Sequence, residues 1–414
     1  MARIFNRLRK QGLGTLRALR FFSGCLPALG CASAITIEFD YTYDTNDWFE
    51  VGERKAILEQ VASLYETILT DTLLRIDPAD FPGSTWTVSV RNPQTGNTVS
   101  LPNFVVPDDT IVVFAGAREL GGTVRGQAGN AGWSGSGFSS WFSRIRARGG
   151  NPGADYSSAD AELITDYAPH VGFLSFDITT DYNYSTTQNL SGTDYVSVAL
   201  HELGHVLGIG ICDSWDNLIN SGQFTGPASL RAAGVMPAVQ SGNGHFDQSV
   251  TNKPAFGSFA TPHGSSTPVL MRPSLTTSGG LLTVLTDLDL AALVDIGWQV
   301  EPPLGPTYPS LGPAGTQINW PSSSFRSYVV EKSTDLDFGS ATTVAFDGDG
   351  SVQSWTDPSP PSGRCFYRMT DTAYPAPAAV TLPAPAMLAA AGDDEIRTET
   401  VAPRWVEGCE CGGH

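Results

Sequence analysis

Two histidines four positions apart, inside the apolar run DYVSVALHELGHVLGIG (194–210), constrain this chain more than any other feature. An apolar run with helical spacing favours a helix that is buried in the core. On such a helix His201 and His205 share one face, where two neutral imidazoles can bind one Zn²⁺ ion. Glu202 lies beside them as a carboxylate that can accept a proton from a metal-bound water. The run therefore predicts two ligands of a zinc site and an adjacent general base. The alternative is an ordinary helix that carries two incidental histidines.

The periodicity of the remaining chain predicts a mixed α/β fold around this helix. Alternating or continuous apolar runs predict strands over 35–44, 110–117 and 171–178, and a hairpin over 84–101. Apolar residues at helical spacing predict helices over 53–76 and 285–298, with one or two short helices within 213–234. The glycine-rich stretch 121–137 is interpreted as an irregular loop.

The first 34 residues have the composition of a secretory signal. Six basic residues and no acidic residue occupy positions 1–20, and the apolar, small-residue run FFSGCLPALGCASA (21–34) follows. This run is too short to span a bilayer, and its Ala-x-Ala end is typical of a cleavage site. We therefore expect a signal peptide over 1–34, no transmembrane segment, and secretion to an extracellular or periplasmic location. A buried N-terminal helix is the alternative.

Charge and cysteine content narrow the class of protein. The net charge is −18, whereas a protein that binds nucleic acid needs a basic face for the phosphates. A nucleic-acid partner is therefore not expected. The four cysteines outside the signal permit disulfides in a secreted chain but define no pairing; they are Cys212, Cys365, Cys409 and Cys411.

A change of composition after Trp298 predicts a second module. Residues 301–315 are rich in Pro and Gly and are interpreted as a linker. Short alternating runs with turn signals over 316–374 predict a small all-β sandwich, which could bind a surface or a partner. The Ala/Pro-rich end, 375–414, is predicted to be a disordered tail. The main domain is then expected over 35–300.

Several segments of that main domain resemble a known family. HELGHVLG (201–208) resembles the first part of the metzincin zinc-protease signature, H-E-x-x-H-x-x-G-x-x-H followed by a Met-turn. VLMRPSL (269–275) resembles the Met-turn, with Met271 beneath the metal, and 285–298 resembles the C-terminal helix of matrixin-like bacterial members. VGFLSFD (171–177) resembles the edge strand that lines the substrate cleft. The resemblance implies an α+β catalytic domain with a mixed sheet and an active-site helix.

A methionine among Val, Leu and Pro is ordinarily a core residue. The order of the segments along the chain therefore carries the resemblance, rather than the chemistry of Met271 by itself.

The chain departs from the family pattern at the third zinc ligand. Ile211 stands where the pattern has a histidine. Leishmanolysin-like metzincins carry an insertion at this point, so the resemblance allows a more distant ligand. We favour His245 in SGNGHFD (241–247), because the two glycines permit tight turning of the backbone. Three alternatives stay open: His263, Asp213 and a site with two protein ligands.

The resemblance implies a secreted zinc endopeptidase that acts on proteins or peptides. His201, His205 and His245 would hold one Zn²⁺, and Glu202 would act as the general base. Structural Ca²⁺ is compatible with several acidic loops, but none matches a defined calcium-binding pattern.

Two alternatives come from other classes. One is a catalytically inactive zinc-binding adhesin or partner-binding module of the same fold, which the intact Glu202 argues against. The other is a structural module in which the C-terminal β domain does the binding and the metal only stabilises the fold. A structural site of that kind would be expected to have four protein ligands, whereas the sequence offers three good ones.

Overall fold

The computed structural model describes residues 35–146, 167–186, 192–255, 266–275, 283–301, 308–312, 315–335, 337–359, 365–373, 396–406 and 409–410. The predicted signal peptide lies outside these residues. In the described part of the chain no helix is both long enough and apolar enough to cross a bilayer.

The described residues form six α-helices and two short 3-10 helices, Trp48–Glu50 and Pro78–Asp80. The α-helices are α1 (Arg54–Glu66), α2 (Ser139–Arg146), α3 (Tyr195–Val206), α4 (Asp213–Asn217), α5 (Pro227–Ala233) and α6 (Asp287–Asp295). The strands are β1 (Thr36–Asp40), β2 (Thr85–Arg91), β3 (Thr98–Pro102), β4 (Thr110–Arg118), β5 (Val124–Asn130), β6 (Gly132–Gly137), β7 (Val171–Asp177), β8 (Tyr182–Asn183), β9 (Thr193–Asp194), β10 (Ile219–Asn220), β11 (Gln223–Phe224), β12 (Thr251–Asn252), β13 (Thr267–Pro268), β14 (Tyr308–Gly312), β15 (Gly315–Pro321), β16 (Arg326–Ser333), β17 (Thr342–Asp347), β18 (Val352–Thr356), β19 (Phe366–Ala373), β20 (Arg397–Val401), β21 (Arg404–Trp405) and β22 (Cys409–Glu410).

A mixed sheet forms the centre of the molecule. Its order is β1-β4-β7-β5, and both β21 and β22 pair with the outer side of β5. Strands β1, β4 and β7 are parallel, whereas β5 is antiparallel to β7. The prediction of a mixed α/β fold is confirmed at this level, and several small sheets surround the central one.

The two faces of the central sheet pack against different layers. Alternate residues of β4 point to opposite faces, as the pleat of a strand requires. Ile111 and Val113 join a core cluster that includes residues of α1, α3 and α6. Val112 and Phe114 join a second cluster with residues of the sheet β20-β6-β2-β3 and of α2. The central sheet is therefore enclosed between helices and a second sheet.

The strand predicted over 171–178 is confirmed as β7, but its expected position at the edge of the sheet and the loop interpretation of 121–137 are wrong. The stretch 171–177 was expected to be an edge strand, but β7 lies between β4 and β5. All seven of its residues are buried, which is typical of an interior strand covered on both faces. The glycine-rich stretch 121–137 was expected to be an irregular loop, but it contains β5 and β6. Its glycines lower strand propensity, so the pattern gave no strand signal.

The first predicted helix is shorter than expected. Helix α1 ends at Glu66, whereas the prediction extended over 53–76. The backbone of the following residues pairs with other segments instead: Thr70 N–H donates to Gln299 O at 2.9 Å, and Ile76 bridges Val106. Tertiary pairing with these segments thus replaces the helical hydrogen bonds that apolar spacing alone would predict.

The module after the main domain contains two three-stranded sheets, β14-β15-β18 and β17-β16-β19. Its small core includes Ile318, Trp320, Tyr328 and Val330. Strand β14 falls inside 301–315, so residues 308–312 of the predicted linker pair with this module. The module also contacts α6, because Asp287 accepts hydrogen bonds from Ser324 N–H and Oγ, both at 2.8 Å.

The described part of the predicted disordered tail is extended and paired. Strand β20 pairs with β6, and β21 and β22 pair with β5. The Ala/Pro composition of 375–414 carries no information about such distant pairing. Residues 374–395, which precede β20, lie outside the described residues.

Candidate metal centre

Helix α3 is positioned by its N-terminal cap. Asp194 accepts hydrogen bonds from the N–H groups of Val196 and Ser197 at 3.2 and 3.1 Å, as an N-cap carboxylate does. Every residue of the helix is buried, which agrees with its apolar composition. The predicted helix over 194–210 is confirmed for Tyr195–Val206.

Three histidines meet beside this helix. His201 and His205 come from α3, and His245 comes from the loop after α5. Their Nε2 atoms are separated by 3.0 Å (His201 and His205), 3.1 Å (His205 and His245) and 3.2 Å (His201 and His245). All three side chains are buried, with at most 4 % of each residue exposed.

The other ring nitrogen of each histidine is hydrogen-bonded to oxygen. The Nδ1 atoms donate to Leu270 O at 2.8 Å (from His201), Ile209 O at 2.7 Å (from His205) and Gln240 Oε1 at 3.1 Å (from His245). A neutral imidazole with a proton on Nδ1 carries a lone pair on Nε2. Three lone pairs therefore converge with no proton between them, and this arrangement calls for a cation.

The spacing of these atoms fits a metal ion. Tetrahedral zinc with Zn–N bonds of 2.0–2.1 Å places its donors about 3.3–3.4 Å apart. The observed separations of 3.0–3.2 Å are slightly shorter. The buried triad can thus hold a metal ion.

Burial keeps the triad in its ligating form. Desolvation lowers the pKa of His205 to about 4 and the pKa values of His201 and His245 well below their usual range. A lowered imidazole pKa favours the neutral ring, which is the form that binds metal ions.

Two contacts hold the loop that carries His245. Phe246 is fully buried and donates its N–H to Met271 O at 2.9 Å. Trp215 Nε1 donates to Asn243 O at 2.7 Å. The aromatic residue after His245 therefore anchors the loop in the core, and the loop is tied to the segment around Met271.

Met271 lies directly against the metal-site helix. It is fully buried, and a Cβ placed on Gly204 would lie 2.5 Å from its Sδ atom. Its segment is held by Asp289 of α6, whose carboxylate accepts the N–H groups of Leu270 and Met271, both at 3.0 Å. Helix α6 thus fixes Leu270 O, the acceptor that orients His201.

Glu202 points toward β5 rather than away from the sheet. Its residue is 1 % exposed, and a Cβ placed on Gly126 would lie 2.5 Å from Glu202 Oε1. In the central sheet, β5 lies between β7 and the C-terminal strands β21 and β22. The Glu202 carboxylate therefore lies beside the strand that borders this side of the site.

The structure brings together His201, His205 and His245, the three ligands that the sequence analysis favoured. Met271 packs against α3, and its position beneath a metal stays a prediction. Among the alternatives for the third position, Asp213 instead forms an ion pair with Arg404. His263 lies outside the described residues. Cys212 is a buried free thiol that accepts the N–H of Trp215 at 3.4 Å, and burial raises its pKa to about 12. It is therefore inert rather than a ligand.

Sequence reasoning missed the residues that support the triad. Gln240 orients His245, and Asp289 holds the Met271 segment. Neither residue belongs to the zinc-binding motif. Asp289 does carry one local signal: together with Thr286 it forms a capping box at the start of α6, which Thr-x-x-Asp in the sequence can suggest.

No family model matches this chain, and neither the curated proteins nor the solved structures contain a match to it.

Proposed function

We propose that this protein is a secreted zinc-dependent endopeptidase of the metzincin type. The observation that carries the proposal is the convergence of three imidazole lone pairs, 3.0–3.2 Å apart, next to a helix that also carries Glu202. Three protein ligands are the number that catalytic zinc sites use, whereas structural sites use four. The placement of Met271 against α3 supports the metzincin type, and the sequence of residues 1–34 supports secretion.

A zinc ion held by the triad would supply Lewis acidity, lowering the pKa of a water toward neutrality and polarising a peptide carbonyl. In this scheme Glu202 accepts the proton from the attacking water and passes it to the leaving amine. Its carboxylate is suited to this task because Glu202 is next to His201 in the sequence rather than one helical turn away, and it is not one of the three converging ligands.

The hydrogen bonds at Nδ1 serve the same reaction. They fix the tautomer and the orientation of each ring, as outer partners of metal-bound histidines do. Leu270 O, Ile209 O and Gln240 Oε1 fill this role here. Because two of these acceptors are backbone carbonyls, their positions depend on the fold of α3 and of the Met271 segment.

The test is digestion of casein by the purified protein, with metal content measured on the same sample. The proposal expects about one zinc per chain, cleavage within casein, loss of cleavage with a chelator, and recovery when zinc is added back. A protein that holds one zinc per chain and leaves casein intact under these conditions would contradict the endopeptidase proposal.

A further inference from the structure

Part of the described C-terminal segment, β21 and β22, lies along β5, the strand that flanks Glu202. We name residues 397–406 the C-terminal strap. Within it, Arg404 pairs with Asn130 and Trp405 with Gly129, in antiparallel register with β5. Beyond the strap, β22 continues the pairing, with Cys409 opposite Gly126. A Cβ placed on Gly126 would lie 2.5 Å from Glu202 Oε1, so the chain's own C-terminal segment passes the position of Glu202.

The outer side of β5 accepts the strap through its backbone. A side chain at Gly129 would clash with Arg404 O and with Cβ of Trp405. The glycine thus permits close approach of a second backbone. If the strap is detached, this strand edge can bind an extended peptide through main-chain hydrogen bonds. Such binding is the sequence-tolerant recognition that an endopeptidase requires.

Side-chain contacts fix the strap on the histidine side of the site. Arg404 forms ion pairs with Asp213 and with Asp216, the latter at 3.1 Å. Both acidic residues belong to α4, which begins seven residues after Val206, the end of α3. Val406 lies 3.2 Å from a Cβ placed on Gly244, the residue before His245. The strap therefore contacts segments next to the helix and next to the third histidine.

We propose that residues 404–406 of the C-terminal strap occupy the position of an extended peptide substrate on β5, and that Asp213 and Asp216 form an acidic subsite for a basic side chain at the position of Arg404. The substrate aspect of this inference rests on the proposed function. The strap is then an internal competitor, and the preferred substrates are peptides that carry Arg or Lys at the matching position.

An internal competitor has a defined effect on affinity. The apparent dissociation constant for an external peptide equals the intrinsic constant divided by the fraction of molecules with the strap detached. A strap detached in about 1 % of molecules would weaken apparent binding about 100-fold. Detachment would lower the apparent KM and leave kcat unchanged, because the bound strap blocks binding and not the chemistry.

The experiment uses the full chain with Arg404→Glu, which places a carboxylate beside Asp213 and Asp216. Arg397→Glu is the matched control, since it makes the same charge change in the same segment but on β20, which pairs with β6. Two quantities are measured in the inactive Glu202→Gln background. They are hydrogen exchange of the β5 amides, and binding of a fluorescein-labelled peptide with the sequence of residues 397–406.

We expect Arg404→Glu to speed exchange in β5 and to tighten peptide binding about tenfold, the equivalent of about 1.4 kcal/mol, with no change for Arg397→Glu. Trp405→Ala is the second variant should Arg404→Glu fail to fold. Equal exchange and equal affinity in all variants would overturn the proposal. Faster exchange without tighter peptide binding would also overturn it, because the strap would then be only a structural strand.

These readouts do not depend on turnover, so the two proposals fail separately. A chain that leaves casein intact but binds the peptide tightly after Arg404→Glu refutes the endopeptidase proposal and keeps the strap. A chain that cleaves casein, with Arg404→Glu indistinguishable from Arg397→Glu, refutes the strap and keeps the endopeptidase.

Discussion

The two sides of the metal centre are built in different ways. On the helix side, five consecutive residues of α3 supply His201, Glu202 and His205, and helical geometry alone sets their relation. On the loop side, three hydrogen-bonded contacts set the position of His245. Gln240 accepts from its ring, Phe246 N–H donates to Met271 O, and Asp289 accepts the N–H of Met271. The helix side is thus fixed by local structure and the loop side by tertiary hydrogen bonds, so variants on the two sides should fail differently.

The largest effect is expected where the loop side reaches the metal. His245→Ala removes one of three ligands, so metal affinity should fall by more than about 100-fold, the upper range for supporting residues. Affinity is measured by competition with a chromogenic zinc chelator. His170→Gln is the control, because His170 is equally buried but bonds Ile145 O in the second core cluster. If His245→Ala bound the metal with the affinity of the wild type, His245 would not be a metal ligand.

The helix side should carry a pH dependence of stability. Burial raises the pKa of Asp194, the cap of α3, to about 6. Between about pH 4 and pH 6 the folded protein then holds a proton that the unfolded chain releases, so the unfolding free energy falls as pH rises. The contribution of Asp194 to this fall is up to about 3 kcal/mol.

Urea unfolding of the wild type and of Asp194→Asn at several pH values measures this contribution. The stability of the wild type relative to Asp194→Asn should decline from pH 4 to pH 7. A relative stability that rises with pH would show that hydrogen bonds to the charged cap outweigh its burial.

A smaller loss is expected at the oxygen that orients His245. Gln240→Leu removes the acceptor for Nδ1, and such supporting partners are worth about 10- to 100-fold in metal affinity. Gln60→Leu, on the exposed face of α1, is the control. The same competition assay applies. Unchanged affinity in Gln240→Leu would show that the loop backbone alone orients the third histidine.

The last effect concerns the free energy of unfolding and the contact that joins the two sides. Gly204→Ala places a methyl group 2.5 Å from Met271 Sδ, and overpacking of this kind costs about 1–3 kcal/mol of unfolding free energy. The double variant Gly204→Ala, Met271→Ala should recover part of this loss, since the smaller side chain makes room. Strictly additive losses in urea unfolding would mean that the methyl group is accommodated elsewhere.

The same division explains what could be predicted from the sequence. The buried helix with His201, Glu202 and His205 follows from spacing within one segment. His245 could be favoured because glycines and Phe246 surround it, but its distance to the helix depends on contacts that no local pattern encodes. Strand β5 was missed because glycine lowers strand propensity, and the pairing of the C-terminal strap with it depends on chain segments about 270 residues apart, as in Arg404 and Asn130.

The central claim is that Glu202 acts as the base at a metal held by the histidines. The most direct measurement compares casein hydrolysis and zinc content in the wild type, Glu202→Gln and the exposed control Glu59→Gln. We expect one zinc per chain in all three proteins. The rate of hydrolysis by Glu202→Gln should be about 10²- to 10⁴-fold lower than that of the wild type, which is the usual contribution of a general base. Substantial hydrolysis by a fully metallated Glu202→Gln protein would contradict the claim.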